Sequence, residues 1–156
     1  MFLDPLSQAT EPSLVSGATT AGTSAITSST YAAGRAEQVR FLASLAAVTD
    51  TCVLTMKAQG GYLSDGSDAV DIAGCATSSI TTDSAATTAT TNVTPAPTAN
   101  KFLSLDVVRS PYPYLRVVLT RTTANAAVNF ILAEGYNFKN IPITSSNLAA
   151  TKVAQG

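Results

Sequence analysis

The chain has 156 residues, enough for one domain, and 46% of them are hydrophobic, so a packed core needs neither metal ions nor several disulfides. Only 12% are charged, and the net charge of −1 comes with scattered basic residues, which argues against a nucleic-acid binder. The chain has no histidine, the usual general base and metal ligand, so we expect no enzymatic activity, no cofactor and no bound metal.

The sequence offers no signal for a membrane. No stretch approaches the length of about 18 apolar residues that a membrane-spanning helix needs. The start, Met1-Phe2-Leu3-Asp4-Pro5, lacks the basic and apolar regions of a signal peptide. We therefore expect a protein that is made in the cytoplasm and has no membrane partner.

Residues 1–34 are rich in Ser, Thr, Ala and Gly, with isolated apolar residues such as Leu14, Val15 and Ile26. A segment of this composition buries little surface of its own. The sequence predicts an extended N-terminal arm with one or two short strands.

Residues 35–143 carry the pattern of a β domain. Val39, Phe41, Ala43 and Leu45 alternate with other residues at period 2, which predicts a strand with one buried face. The stretch Glu37–Ala47 is also apolar enough for a helix, and that alternative stays open.

Further strand patterns follow along this domain, separated by turn residues rich in Gly, Asp and Pro. They cover 52–58, 69–73, 102–108, 114–121 and 127–138. Several short strands with turn signals between them predict an all-β fold, a single antiparallel β-sandwich or jelly-roll-like domain. The alternation places these side chains inside: Phe41, Leu54, Leu105, Val117 and Phe130.

Two Ala/Ser/Thr-rich stretches interrupt or follow the strands. Residues 76–100 form a long connection with Pro95 and Pro97, and long connections are usually functional, extended or mobile. Residues 144–156 have the same composition, so we expect an extended C-terminal tail.

Three aspartates, Asp65, Asp68 and Asp71, cluster at a Gly-containing turn. Clustered carboxylates are typical calcium ligands, but the terminal glutamate of an EF-hand loop is absent. We favour the interpretation that Asp65 and Asp68 are turn formers that bond to nearby backbone.

Cys52 and Cys75 lie symmetrically about this turn, so a regular hairpin would place them opposite each other. Opposed Cβ atoms lie about 5 Å apart, within reach of a disulfide after small adjustments. Two reduced, buried cysteines are the alternative, which the absence of a secretion signal favours.

Aromatic residues gather near the predicted strand ends. A ligand platform for sugar or peptide is one interpretation, but such residues more often close a core or form a subunit interface. We assign these residues to a possible interface: Tyr112, Tyr114, Tyr136 and Phe138.

The strand and turn pattern between Val39 and Phe138 resembles small β-sandwich virion proteins of tailed bacteriophages, in particular capsid decoration (cement) proteins. The segments that carry the resemblance are 47–50, 53–59, 70–74, 102–107 and 114–119. The resemblance implies a structural protein of the capsid exterior, often a homotrimer, that bridges subunits of the major capsid protein. It also implies terminal arms that reach over neighbouring subunits, and it implies no catalytic residues.

Two other function classes remain open from the residues alone. A phage fibre, adhesin or carbohydrate-binding β-sandwich would present a concave aromatic site. A carboxylate-based hydrolase would place two acidic side chains about 5–10 Å apart across a cleft.

Overall fold

A computed structural model describes residues 10–81 and 101–138. These residues form two antiparallel sheets packed face to face, which confirms the predicted all-β sandwich. They contain no helix, so none of them forms a helix that could cross a membrane. The strands are β1 Thr10–Ser16, β2 Thr19–Gly22, β3 Ile26–Thr27, β4 Tyr31–Ala32, β5 Ala36–Val48, β6 Val53–Gly61, β7 Val70–Ala76, β8 Ile80–Thr81, β9 Lys101–Val108, β10 Tyr114–Thr122 and β11 Ala126–Phe138.

The first sheet has the order β1-β11-β5-β9, with β2 also paired to β11. The second sheet has the order β3-β10-β6-β7, with β4 on β10 and β8 on β6. The central strands alternate buried and less buried residues along their length, as a sheet with one core face requires. Of the residues predicted inside, Phe41, Leu54, Leu105 and Val117 are buried.

The stretch Glu37–Ala47 belongs to strand β5, so its helical alternative is wrong. Val39, Phe41 and Ala43 are buried at period 2, and β11 and β9 pair with the two edges of β5. This pairing satisfies the backbone polar groups on both edges of the strand.

The N-terminal segment differs from the predicted arm. Residues 10–34 form four strands that pair with β11 and β10. Val15, Ile26 and Tyr31 insert their side chains into the shared core, with exposed fractions of 3%, 8% and 3%. Of the isolated apolar residues that suggested an arm, Val15 and Ile26 are therefore inward residues of short strands, whereas Leu14 is exposed.

Phe130 is only half-buried, so its predicted place in the core is wrong. The pairing of β11 with β5 shifts between Val128 and Phe130, which is the signature of a β-bulge. The extra residue reverses the phase of the alternation, so Ile131 takes the inward position with no exposed surface.

The two cysteines do not lie opposite each other, so the predicted register of this hairpin is wrong, and no disulfide joins them. Gln59 pairs with Asp71, and a bulge then brings Ala76 opposite Lys57. Lys57 lies five residues beyond Cys52, and Cys75 lies beyond the level of Lys57, so more than about 16 Å along the strand direction separates Cys75 from the level of Cys52. Gly74, with a φ of 76°, permits the extra residues in β7 that an ideal hairpin lacks.

Three sequence predictions concern residues outside the described ranges. They are residues 1–9 of the N-terminal arm, residues 82–100 of the long connection, and the chain from residue 139 to residue 156.

Candidate interaction surface

The outer face of the first sheet carries a cluster of large apolar side chains. Directly opposed residues of an antiparallel sheet lie on the same face. The strand pairing therefore places residues of β1, β11, β5 and β9 in two adjacent rows that run across the sheet. Two of the cluster's side chains are strongly exposed, Leu14 at 64% and Phe102 at 61%. The other three are half-buried. We call these five residues the apolar patch: Leu14, Leu42, Phe102, Phe130 and Leu132.

The β-bulge in β11 helps to form this patch. The phase change at the bulge turns Phe130 to the outer face, where it lies opposite Ser44. Ser44 in turn lies opposite Phe102 on β9. Ser44 is 3% exposed and Asn129 donates to its hydroxyl at 3.3 Å, so this small side chain lies buried between two phenylalanines.

A row of charged residues borders the patch. Arg40 on β5 donates from Nε to Asp106 on β9 at 2.9 Å, and its guanidinium lies 5.7 Å from the centre of the Tyr136 ring. The Tyr136 hydroxyl donates to Glu134. Burial, and then the hydrogen bond to Glu134, raise the pKa of Tyr136. Arg40 and Asp106 therefore compensate each other, whereas Glu134 keeps its negative charge and accepts from a neutral hydroxyl, and the apolar patch is the distinctive feature of the face.

The four aromatic residues assigned to an interface do not form one surface. Phe138 is 7% exposed and lies against Gly135, so it belongs to the core, which corrects its assignment. Tyr112 is half-buried over Gly60, where a β-carbon would clash with its ring. Tyr114 and Tyr136 are half-buried on different sheets.

The turn between β6 and β7 presents another exposed pair of residues, Tyr62 at 64% and Leu63 at 51%. The Tyr62 ring meets that of Tyr112 edge to face, with 5.4 Å between the ring centres. Both carboxylate oxygens of Asp68 accept backbone N–H groups, from Tyr62 at 2.7 Å and from Leu63 at 3.1 Å. Asp68 therefore fixes the shape of this turn, as predicted.

Asp65 is the second turn former, because its Oδ1 accepts from the backbone N–H and the hydroxyl of Ser67. These hydrogen bonds lower the pKa of Asp65. Asp71 lies apart on β7, where Lys57 at 2.7 Å and Gln59 at 2.6 Å bind its two oxygens and lower its pKa. Across residues 10–81 and 101–138, no three His, Cys, Asp or Glu side chains come together as a metal site.

The sequence also allows Arg121 to form a surface ion pair with Asp106 or Glu134 across neighbouring strands, but Arg121 is a buried charge. It is 5% exposed, and its guanidinium donates to the carbonyls of Ser24 at 2.8 Å, Thr20 at 3.0 Å and Ala126. The sequence spacing indicates this burial, because every second residue of β10 faces inward. Arg121 follows Leu115, Val117 and Leu119 in that series.

Cys52 lies beside this buried guanidinium. Burial raises the pKa of the Cys52 thiol, and the positive charge of Arg121 partly offsets that effect. The thiol has no exposed surface, so it behaves as a small apolar side chain of the core.

No protein-family model matches the chain, and no curated protein matches its sequence significantly.

Proposed function

We propose that this chain is a structural virion protein that binds the outer surface of a capsid and bridges subunits of the major capsid protein. The observation that carries the proposal is the apolar patch on the outer face of the first sheet. A sandwich buries one face of each sheet in its core, so large apolar residues on the opposite face have no role in folding the monomer. The resemblance to capsid decoration proteins supplies the class of partner.

The size of the patch supports a partner with many repeated sites. The exposed surface of the five side chains is on the order of 400 Å², a size typical of functional patches on single proteins. A stable pairwise interface buries about 800 Å² on each partner. A single patch therefore binds weakly, whereas copies joined to one another on a regular lattice bind with a much higher effective affinity.

The composition of the chain fits the same function. Charged residues make up only 12% of the sequence, and beside the patch Arg40 is paired with Asp106. The partner surface is therefore apolar and need not carry a complementary charge pattern. Binding through the flat face of a sheet requires no catalytic residues, and we propose that the protein is not an enzyme.

A glycan-binding function has less support. The exposed aromatic at the tip of the β6–β7 turn is Tyr62, and sugar sites combine such a ring with free polar side chains. Here both oxygens of the adjacent Asp68 accept backbone N–H groups, and two large apolar side chains of the same region, Leu63 and Val70, are also exposed.

The test is to purify the virions produced by the genome that encodes this chain and to measure its copy number against the major capsid protein by quantitative mass spectrometry. We expect the chain at a fixed ratio close to that of the capsid protein, and accessible to protease on intact particles. Its absence from purified particles, or a few copies per particle, would contradict the proposal.

A further inference from the structure

The sandwich has four sheet edges, and three of them carry features that block pairing with another strand. Exposed edges tend to recruit further strands, and proteins prevent this with proline, bulges or very short strands. The edge strand β1 contains Pro12 and a register shift after Leu14. The β7 edge contains a bulge and Gly74 at a φ of 76°. The edge formed by β3 and β4 consists of two-residue strands.

The fourth edge, β9, has none of these features. Its eight residues include neither proline nor glycine, and all eight pair with β5 in one unbroken register, Gln38 to Leu45. Within the described residues, β9 is the last strand of its sheet, so its second edge has no strand beside it. A regular strand of this length without proline, glycine or a bulge is a site for strand addition, although it carries two charged residues, Lys101 and Asp106.

The sequence of β9 also identifies which strand fits there. From Phe102 to Val108 it reads Phe-Leu-Ser-Leu-Asp-Val-Val, a pattern of apolar and polar residues that is the same in both directions about Leu105. Phe102 and Val108 are 61% and 60% exposed on the outer face. Antiparallel pairing reverses one strand against the other, so a palindromic strand matches a second copy of itself.

We infer that β9 pairs with β9 of a second copy of this chain, antiparallel, around a two-fold axis at Leu105. In this register Phe102 lies opposite the partner's Val108 on the outer face, and Ser104 lies opposite the partner's Asp106. On the inner face Leu103 lies opposite the partner's Val107. Arg109, with a φ of 51°, leaves the strand and ends the pairing.

Other registers fit less well. A one-residue shift of the pairing would place outer side chains opposite inner ones. A shift of two residues in one direction places Phe102 opposite the partner's Asp106, and in the other direction it places Val108 opposite the partner's Ser104. Only the register centred on Leu105 matches apolar residues with apolar residues, and polar residues with polar residues, at every pair from Phe102 to Val108.

The dimer would join two first sheets into one continuous sheet. Because the two-fold axis stands perpendicular to the sheet, both outer faces point the same way, and both apolar patches lie on one side of the dimer. A closed two-fold pairing of this kind uses the β9 edge of both copies, so it stops at two. The homotrimer implied by the resemblance would need a different contact.

The experiment compares charged variants at the opposed pair by sedimentation equilibrium of the purified full-length protein. The double variant Phe102→Glu/Val108→Glu places like charges opposite each other twice and should raise the dimer dissociation constant at least about tenfold. The variant Phe102→Glu/Val108→Lys has the same number of charges but places opposite charges together, and it should restore the dimer.

The matched control is Leu14→Glu, which introduces a charge at an equally exposed residue on the other edge of the same sheet and should leave the dimer intact. Circular dichroism shows whether each variant is folded. A monomeric or trimeric wild-type protein, a dimer that Leu14→Glu dissociates, or equal behaviour of the Glu/Glu and Glu/Lys variants would overturn the inference. The measurement involves no capsid, so its outcome is independent of the proposed function.

Discussion

The guanidinium of Arg121 joins three separate parts of the chain. It donates hydrogen bonds to the carbonyls of Thr20 and Ser24 in the N-terminal segment and to the carbonyl of Ala126 at the start of β11. A buried charge is costly unless hydrogen bonds replace its hydration. Here three backbone carbonyls supply that replacement.

Replacement of Arg121 by Met should therefore destabilise the protein by about 3 kcal/mol, because the carbonyls lose a charged donor at a site that water reaches poorly. Urea unfolding monitored by circular dichroism measures the change. The matched control is Arg40→Met, since Arg40 pairs with Asp106 on an exposed face, where such pairs contribute little. Equal effects of the two substitutions would show that Arg121 has no special role.

The sequence predicts individual side chains well where a strand is regular. Leu54 and Val117 were assigned inward from alternation alone, and both are buried. The prediction failed at Phe130 because one inserted residue reverses the phase of a strand, and no residue type marks a bulge at this position. The cysteines were misplaced for the same reason, through the bulge in β7.

At the scale of elements, the short strands β1 to β4 changed the interpretation most. Each contributes one or a few inward residues, so the sequence contains no periodic run of apolar residues that would predict it. Their pairing with β11 and β10 arises from contacts distant along the chain, such as Leu14 opposite Leu132. The apolar patch shares this origin, because its members come from four strands and only the register brings them together.

Because β1 contributes to the core, substitutions at two neighbouring residues of this strand should differ in their effect on stability. Val15→Ala removes two buried methyl groups and should destabilise the protein by about 2 kcal/mol. Leu14→Ala shortens a side chain that is 64% exposed and should change stability by no more than about 0.5 kcal/mol. Urea unfolding of both variants checks this; a Val15 variant as stable as the Leu14 variant would show that β1 is a detachable arm.

For the whole molecule, the two surfaces of the first sheet serve different purposes. The inner face forms the core with the second sheet, and the outer face presents the apolar patch. The β9 edge, if it pairs two copies, brings two patches to one side of the assembly. Two weak sites that bind one lattice together give a longer residence time than either site alone. The partner itself could not be predicted from alternation or composition, because both describe how the chain folds and neither specifies what a surface meets.

The most direct test of the central claim, that the apolar patch binds the capsid, is an add-back measurement. Capsids assembled without this protein are mixed with purified wild-type protein, and the bound fraction is measured by co-sedimentation over a range of concentrations. Wild-type protein should saturate the capsids, whereas Leu14→Glu should bind at least about tenfold more weakly, because docking would bury an unpaired carboxylate. Val118→Glu, on the second sheet, should bind like the wild type. Unchanged binding of Leu14→Glu together with lost binding of Val118→Glu would contradict the account.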